Sequence, residues 1–261
     1  MKVRETICKA KVLGKGAIIP YMVFGFPEVR SSLELLFAFQ EHGATAVEVG
    51  IPFSDPVADG PVIQRAHAKA LENGVNPGMI LESLKEIHSQ MRIPLILMTY
   101  YNPVFRMGEL EFAKRAKEAG VAGVIIPDLP PEEARSWLSA AEASGLETVF
   151  LVAPNTPFER VKSIASVTSG FLYCLSLKGV TGSRIQALEG LKERVKTIRQ
   201  MVDLPVCVGF GIRNPWEVRA LLEVSDGIIV GSSLLEALER GKEAMLELFD
   251  QLKAPCQGPL P

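Results

Sequence analysis

The sequence has few of the features that mark membrane, nucleic-acid-binding or secreted proteins. Its 261 residues contain no run of about 18 consecutive apolar residues, so no transmembrane helix is predicted. Lysine and arginine number 28 against 30 acidic residues. With no basic excess to neutralise a phosphate backbone, nucleic acid is not an expected partner. The N-terminal segment is charged and lacks an apolar core, so a secretory signal is not expected.

Cysteine and histidine are also scarce. The four cysteines lie far apart and form no Cys-x-x-Cys pair, which is typical of a reduced, cytoplasmic protein: Cys8, Cys174, Cys207 and Cys256. The three histidines have no metal-ligand spacing, so no metal site is predicted: His42, His67 and His88.

The composition that remains is that of a globular protein. Apolar residues make up 48% and charged residues 22%. Single-domain α/β barrels run to roughly 200–250 residues. Because no low-complexity linker divides the chain, we expect one domain over residues 1–261.

Short apolar, β-branched runs alternate with longer helical patterns eight times along the chain. Most runs are continuously apolar, as parallel strands buried on both faces require. The predicted strands are Ala17–Phe24, Ala46–Gly50, Pro94–Tyr100, Gly123–Pro127, Glu147–Val152, Gly170–Leu175, Pro205–Gly209 and Gly227–Gly231.

Glycine and proline delimit the helices between these runs. The predicted helices include one that ends at Gly120, one from Pro131 to Gly145, and a long final helix from Leu235 to Leu252. Two more, Ile63–Asn73 and Met79–Gln90, follow the second strand.

Eight repeated βα units predict a (β/α)₈ (TIM) barrel with an extra N-terminal helix and an extra helix after strand 2. The alternative is an open, doubly wound sheet. That fold is disfavoured because no Gly-x-Gly-x-x-Gly follows the first strand.

Three carboxylates lie at or just after the second strand. Glu48 shares one face of that strand with two small residues, Ala46 and Gly50. If this face lines the barrel interior, desolvation would raise the pKa of Glu48 and suit it to proton transfer. Asp55 and Asp59 follow in a loop, where each precedes a proline or glycine and is equally compatible with a turn-forming role.

Glycine-rich segments follow three consecutive strands. They read Lys-Gly-Val-Thr-Gly after strand six, Gly-Phe-Gly-Ile after strand seven and Val-Gly-Ser-Ser after strand eight. Glycines followed by a helix N-terminus form the usual phosphate site of a (β/α)₈ barrel. Each hydrogen bond to a charged group contributes about 1.5–3 kcal/mol. A few main-chain N–H groups would therefore hold a phosphate without an arginine.

Taken together, these motifs resemble the α subunit of tryptophan synthase over essentially the whole chain. The most specific motif is Pro-Phe-Ser-Asp-Pro-Val-Ala-Asp-Gly-Pro, residues 52–61, and Tyr-Tyr-Asn-Pro and Ile-Pro-Asp-Leu-Pro also fit. The resemblance implies cleavage of indole-3-glycerol phosphate to indole and glyceraldehyde 3-phosphate. It implies that Glu48 is the general acid and base, and that Asp59 holds the indole N–H. It further implies substrate-binding roles for Tyr173, Thr181, Gly182, Phe210, Gly211, Gly231 and Ser232.

The resemblance also implies a partner, a β subunit that carries pyridoxal phosphate in an αββα assembly, and no cofactor on this chain. Two positions depart from the family pattern. Phe26 stands where many members have aspartate, and Leu177-Lys178 stands where some have arginine.

Two alternatives to the lyase remain open. A catalytically silent, phosphate-sensing regulatory subunit would keep the barrel and the phosphate loops, although Glu48 and Asp59 favour the enzyme. Another phosphosugar isomerase or aldolase barrel would carry a histidine or lysine at a strand end, and none is visible there.

Overall fold

Eight parallel strands close into a barrel. The computed structural model describes residues 1–176, 184–209 and 211–258. Each strand pairs with its sequence neighbours and the eighth pairs with the first, which confirms the predicted (β/α)₈ architecture. The strands are Ala17–Val23 (β1), Val47–Gly50 (β2), Leu95–Met98 (β3), Val121–Ile125 (β4), Glu147–Val152 (β5), Leu172–Leu175 (β6), Val206–Gly209 (β7) and Gly227–Val230 (β8).

Helices surround the barrel. The extra N-terminal helix and the two helices after β2 are present, as predicted. The helices are Val3–Val12 (α1), Val29–Glu41 (α2), Pro61–Glu72 (α3), Pro77–Ile87 (α4), Tyr101–Met107 (α5), Glu109–Glu118 (α6), Arg135–Ser144 (α7), Phe158–Ser166 (α8), Arg184–Met201 (α9), Pro215–Leu222 (α10), Ser232–Leu238 (α11) and Lys242–Lys253 (α12). Short 3₁₀ turns cover His88–Gln90 and Ala254–Cys256.

Two helix predictions were wrong. Helix α7 begins at Arg135 and not at Pro131, because residues 130–134 form turns with hydrogen bonds between residues three apart. Proline at the first helical position fits such a turn equally well. The predicted final helix is two helices, α11 and α12, separated near Gly241 at φ +127°, a conformation that favours glycine.

The strand boundaries differ from the prediction by one or two residues at nine of the sixteen ends. In β4 both ends shift by two residues, and the strand starts at Val121 and not at Gly123. Gly120, at φ +79°, ends the preceding helix and turns the chain directly into the strand.

An apolar cluster fills the barrel interior. Ile19, Ile96 and Phe171 belong to it, and two residues of α1, Val3 and Ile7, pack against them at the amino-terminal end of the strands. The loops that follow the strands are therefore left to form the site at the other end. A larger cluster lies between the strands and the surrounding helices.

Candidate active site

A cavity of about 380 Å³ opens at the carboxyl ends of the barrel strands. Its walls come from the ends of strands and the loops that follow them, as in other (β/α)₈ barrels. The lining residues include Tyr21, Glu48, Asp59, Met98, Leu151, Tyr173, Gly211, Gly231 and Ser232. Most of these side chains are apolar or aromatic, which suits an aromatic ligand.

Glu48 lies in the wall of this cavity and is almost fully buried, with 1% of its surface exposed. No described residue gives its Oε2 atom a hydrogen bond. Burial, and to a smaller extent the nearby Asp59 carboxylate, raise the pKa of Glu48 to about 8. At neutral pH the side chain therefore holds a proton that it can donate.

Asp59 also lines the cavity, from the loop between β2 and α3, and its side chain has well-defined neighbours. Tyr100 donates its hydroxyl hydrogen to Asp59 Oδ2 at 2.7 Å. The same hydroxyl oxygen accepts the N–H of Ala58 at 3.0 Å, which fixes the loop beside the carboxylate. The ring of Tyr100 stacks on Phe53, with 5.2 Å between ring centroids. The end of the loop is thus held against Tyr100, two residues beyond the end of β3.

His67, on α3, also approaches Asp59. Its Nε2 atom lies 3.5 Å from Asp59 Oδ2 and 3.3 Å from the hydroxyl of Tyr21. Burial lowers the pKa of His67 to about 4, so the ring is neutral at neutral pH. Burial, and to a smaller extent the nearby Asp59 and Glu48, raise the pKa of Tyr21 well above its ordinary value. Its hydroxyl therefore remains protonated.

Two glycines at strand ends make room for the tyrosines that line the cavity. A Cβ atom on Gly50 would overlap the hydroxyl of Tyr21. A Cβ atom on Gly209 would lie 2.8 Å from the ring of Tyr173. Larger residues at these two positions would displace the rings and change the shape of the cavity.

The cavity wall also contains part of the predicted phosphate site. Gly211, Gly231 and Ser232 line it together, and Gly211 adopts φ +63°. The Ser233 hydroxyl donates to the carbonyl of Ile212 at 2.6 Å, which ties the loop after β7 to the start of α11. Among the described lining residues there is no lysine or arginine.

Most of the sequence-predicted site residues meet in this one cavity. Glu48, Asp59, Tyr173, Gly211, Gly231 and Ser232 all line it. Thr181, Gly182 and Phe210 lie outside the described residues, as does the Leu177-Lys178 departure.

The sequence prediction missed three polar neighbours of Asp59: Tyr21, His67 and Tyr100. Tyr100 falls within a motif that was used only for resemblance, and His67 was considered only as a metal ligand. The sequence signal that could have identified Tyr21 and Tyr100 was a tyrosine, an aromatic side chain with a polar hydroxyl, near the end of a predicted strand.

The described part of the chain offers no group of three or more histidine, cysteine or acidic side chains that could hold a metal ion. Within the same residues, every helix is too short or too polar to cross a membrane.

Comparison with known proteins identifies close relatives. The family model described as "Tryptophan synthase alpha chain" matches residues 7–258. A tryptophan synthase alpha chain from Petrotoga mobilis is 42% identical over 91% of this chain and 92% of that protein. One from Chromobacterium violaceum is 43% identical over 95% of this chain and 97% of that protein.

Solved structures of tryptophan synthase are also similar to this chain. A ligand-free tryptophan synthase from M. tuberculosis superposes with a TM-score of 0.90 at 36% identity, covering 98% of this chain and 99% of that one. A chain of the tryptophan synthase complex from Pyrococcus furiosus superposes with a TM-score of 0.82 at 38% identity, covering 91% of this chain and 96% of that one.

Proposed function

The chain belongs to the tryptophan synthase alpha chain family, and we propose that Glu48 and Asp59 carry out its cleavage of indole-3-glycerol phosphate to indole and glyceraldehyde 3-phosphate. The observation that supports these roles is the contrast between the two carboxyl groups in one cavity. Glu48 is buried and has a pKa of about 8, whereas Asp59 accepts a hydrogen bond from Tyr100. Such a pair suits one proton-transferring group and one charge-stabilising group.

The reaction is a retro-aldol cleavage, and one carboxyl group can serve both proton transfers. Protonated Glu48 gives its proton to indole C3, which places positive charge on the ring nitrogen. The Glu48 carboxylate then takes the proton of the neighbouring glycerol hydroxyl. The carbon–carbon bond breaks as the new carbonyl forms, and the electron pair of the broken bond returns to the ring. Glu48 ends the cycle protonated, as it began.

Asp59 stabilises the intermediate of this reaction. A carboxylate that accepts the indole N–H offsets the positive charge that develops on the ring nitrogen, and it acts most strongly where water is excluded. The side chain of Asp59 is only 6% exposed, which supports this role. His67 and Tyr100 are both neutral at neutral pH, so neither of them offsets the negative charge of Asp59.

The phosphate of the substrate binds at the other end of the cavity. We assign it to the main-chain N–H groups of Gly211, Gly231 and Ser232. Gly231 and Ser232 lie at the start of α11, where the first N–H groups have no partner within the helix and favour an anion. Thr181, Gly182 and Phe210 would complete the site from the loops after β6 and β7, and Tyr173 would line the indole end.

The test is Glu48→Gln, which keeps the volume and removes proton transfer. General acid–base catalysis contributes about 10²–10⁴ in rate. We expect indole release to fall by a factor near the upper end of that range, while binding of glycerol phosphate is unchanged. Glu86→Gln, at an exposed position on α4, is the matched control. More than a tenth of parental turnover in Glu48→Gln would exclude this role. No indole release by the parental chain, alone or with its partner, would favour the regulatory alternative.

The partner we propose is the tryptophan synthase β subunit, in an αββα heterotetramer. The pyridoxal phosphate would belong to that subunit, with no cofactor on this chain. Docking at the barrel rim would let indole pass directly to the next enzyme. Two exposed apolar side chains near that rim support this surface, Val57 (71% exposed) and Phe105 (67% exposed). We also propose a cytoplasmic location, which four free cysteines support.

A further inference from the structure

The side chain of His67 lies against the loop that carries Asp59. The loop runs from the end of β2 to the start of α3, and His67 lies on α3, two turns beyond it. From there the imidazole ring contacts both ends of the loop. Nδ1 accepts the main-chain N–H of Phe53 at 3.0 Å, and Nε2 lies 3.5 Å from Asp59 Oδ2. The ring is 2% exposed.

The contact with Phe53 determines which ring nitrogen carries hydrogen. A main-chain N–H can only donate, so Nδ1 must be the bare, accepting nitrogen. A neutral imidazole with bare Nδ1 carries its hydrogen on Nε2. Adding a proton to Nδ1 would place two donor hydrogens against each other, so the contact also opposes the charged form of the ring.

Two oxygen atoms of residues that line the cavity lie close to Nε2. One belongs to the Tyr21 hydroxyl at 3.3 Å, and the other is Asp59 Oδ2. The ring of Tyr100, which donates to the same Oδ2 atom, stands edge-on to the imidazole at 6.5 Å between centroids. Within the described part of the chain, the titratable groups that contact His67 are therefore Asp59, Tyr21 and Tyr100.

We propose that His67 is a positioning residue for Asp59: a neutral imidazole, held in the Nε2–H form by the Phe53 amide, that fixes the carboxylate against the wall of the cavity. The proposal rests on the assigned role of Asp59. A neutral donor orients the carboxylate and leaves its charge available to the indole ring. A cation at the same position would offset that charge.

The hydrogen position is tested by nuclear magnetic resonance on the full chain, which contains three histidines. Variants His42→Asn and His88→Asn assign the other two rings, so His67 is identified without being altered. We expect its Nε2 to be protonated and its Nδ1 bare between about pH 6 and pH 8. We also expect its signals to move in Asp59→Asn. An Nδ1–H form, ordinary titration near about pH 6.5, or no response to Asp59→Asn would overturn the proposal.

The positioning role is tested by kinetics of His67→Asn. The asparagine oxygen can accept the Phe53 N–H in place of Nδ1, but the shorter side chain places nothing at the position of Nε2. We expect kcat for indole release to fall about tenfold, while KM and the Kd for glycerol phosphate change less than about threefold. His88→Asn, at an exposed position, is the matched control.

Two kinetic outcomes would overturn the role. One is a kcat in His67→Asn within about threefold of the parental value, and the other is an equal loss of glycerol phosphate binding, which indicates general structural damage. If the parental chain releases no indole, the proposed function fails, whereas the resonance measurement still decides whether His67 positions Asp59.

Discussion

Glu48 and Asp59 carry the same functional group in different surroundings. Glu48 lies in a strand with no hydrogen-bond donor at Oε2 among the described residues, so its charged form is disfavoured. Asp59 has the Tyr100 hydroxyl at 2.7 Å, which stabilises a carboxylate. The division of labour in the proposed reaction therefore comes from desolvation on one side and hydrogen bonding on the other.

The raised pKa of Glu48 predicts a pH-dependent cost in stability. The ordinary pKa of a glutamate side chain is 4.5, whereas burial raises that of Glu48 to about 8 in the folded chain. Folding therefore favours the protonated form, and the chain loses stability as pH rises from about 4.5 to about 8, by at most about 1.4 kcal/mol per pH unit. Glu48→Gln lacks this dependence.

Denaturant unfolding of both proteins across this pH range measures the effect. We expect Glu48→Gln to gain stability relative to the parental chain with rising pH. Parallel stability curves from about pH 5 to pH 8 would show that the Glu48 carboxyl is not desolvated in the folded state.

Asp59→Asn tests the second carboxylate. The amide keeps the size of the side chain but cannot offset positive charge on the indole ring, so we expect a loss of about 10²–10³ in kcat. Phosphate binding should survive. Asp55→Asn, an exposed aspartate in the same loop, is the control and should keep the parental rate. Unchanged turnover in Asp59→Asn, or loss of glycerol phosphate binding, would contradict the role.

Among the elements, helix α1 shows how a buried carboxylate can serve structure alone. Glu147, at the start of β5, accepts the main-chain N–H groups of Val3 and Arg4 at the N-terminus of α1. These are donors that no helix can satisfy internally. The helix is thereby fixed across the end of the barrel opposite the proposed site, where Val3 and Ile7 are fully buried.

Glu147→Gln should therefore lower stability and leave catalysis intact. An amide oxygen accepts these hydrogen bonds more weakly than a carboxylate, so we expect a loss of about 1–3 kcal/mol in the free energy of unfolding. Indole release at a temperature where both proteins are folded should match the parental rate. Glu5→Gln, exposed on α1, is the control. A stability equal to the parental value would show that Glu147 does not secure the helix.

At the scale of the whole molecule, barrel closure gathers residues from distant parts of the chain at one end. Tyr21 and His67 are 46 positions apart and in contact, and Asp59 and Tyr100 are 41 apart. Two exposed apolar residues lie at this same end, Val57 on the loop after β2 and Phe105 on helix α5 after β3. The proposed chemistry and the proposed docking surface are therefore adjacent, so substrate and partner can influence each other.

Phe105 offers the clearest test of the partner surface. If the β subunit covers it, Phe105→Ala should raise the Kd for that subunit about tenfold or more, as aromatic residues often contribute strongly at interfaces. Indole release by the isolated chain should not change. Val12→Ala, an exposed apolar residue on α1, is the control.

The same titration, with and without a non-cleavable indole phosphate analogue, measures coupling, which is typically about 1–3 kcal/mol. No binding in either condition would exclude the partner. Equal affinity in both would exclude the coupling, and an unchanged Kd in Phe105→Ala would place the interface elsewhere.

Local patterns in the sequence were sufficient to predict the fold and several residues of the site. Continuous apolar runs predict parallel strands because both faces of such strands are buried. Glycine at positive φ marks helix ends, as at Gly120 and Gly145, because side chains disfavour that conformation. Glu48 was recognisable as a candidate because burying a carboxylate in an apolar strand is costly unless the group is paired or protonated.

Tertiary structure decided what local patterns leave open. Proline fits both a turn and a helix start, so the beginning of α7 at Arg135 could not be read from the sequence. The neighbours of Asp59 were equally hidden, because Tyr21, His67 and Tyr100 belong to three different elements. Which side chains meet across a barrel depends on strand register and closure. These are set by packing over the whole chain, and no short segment of sequence contains that information.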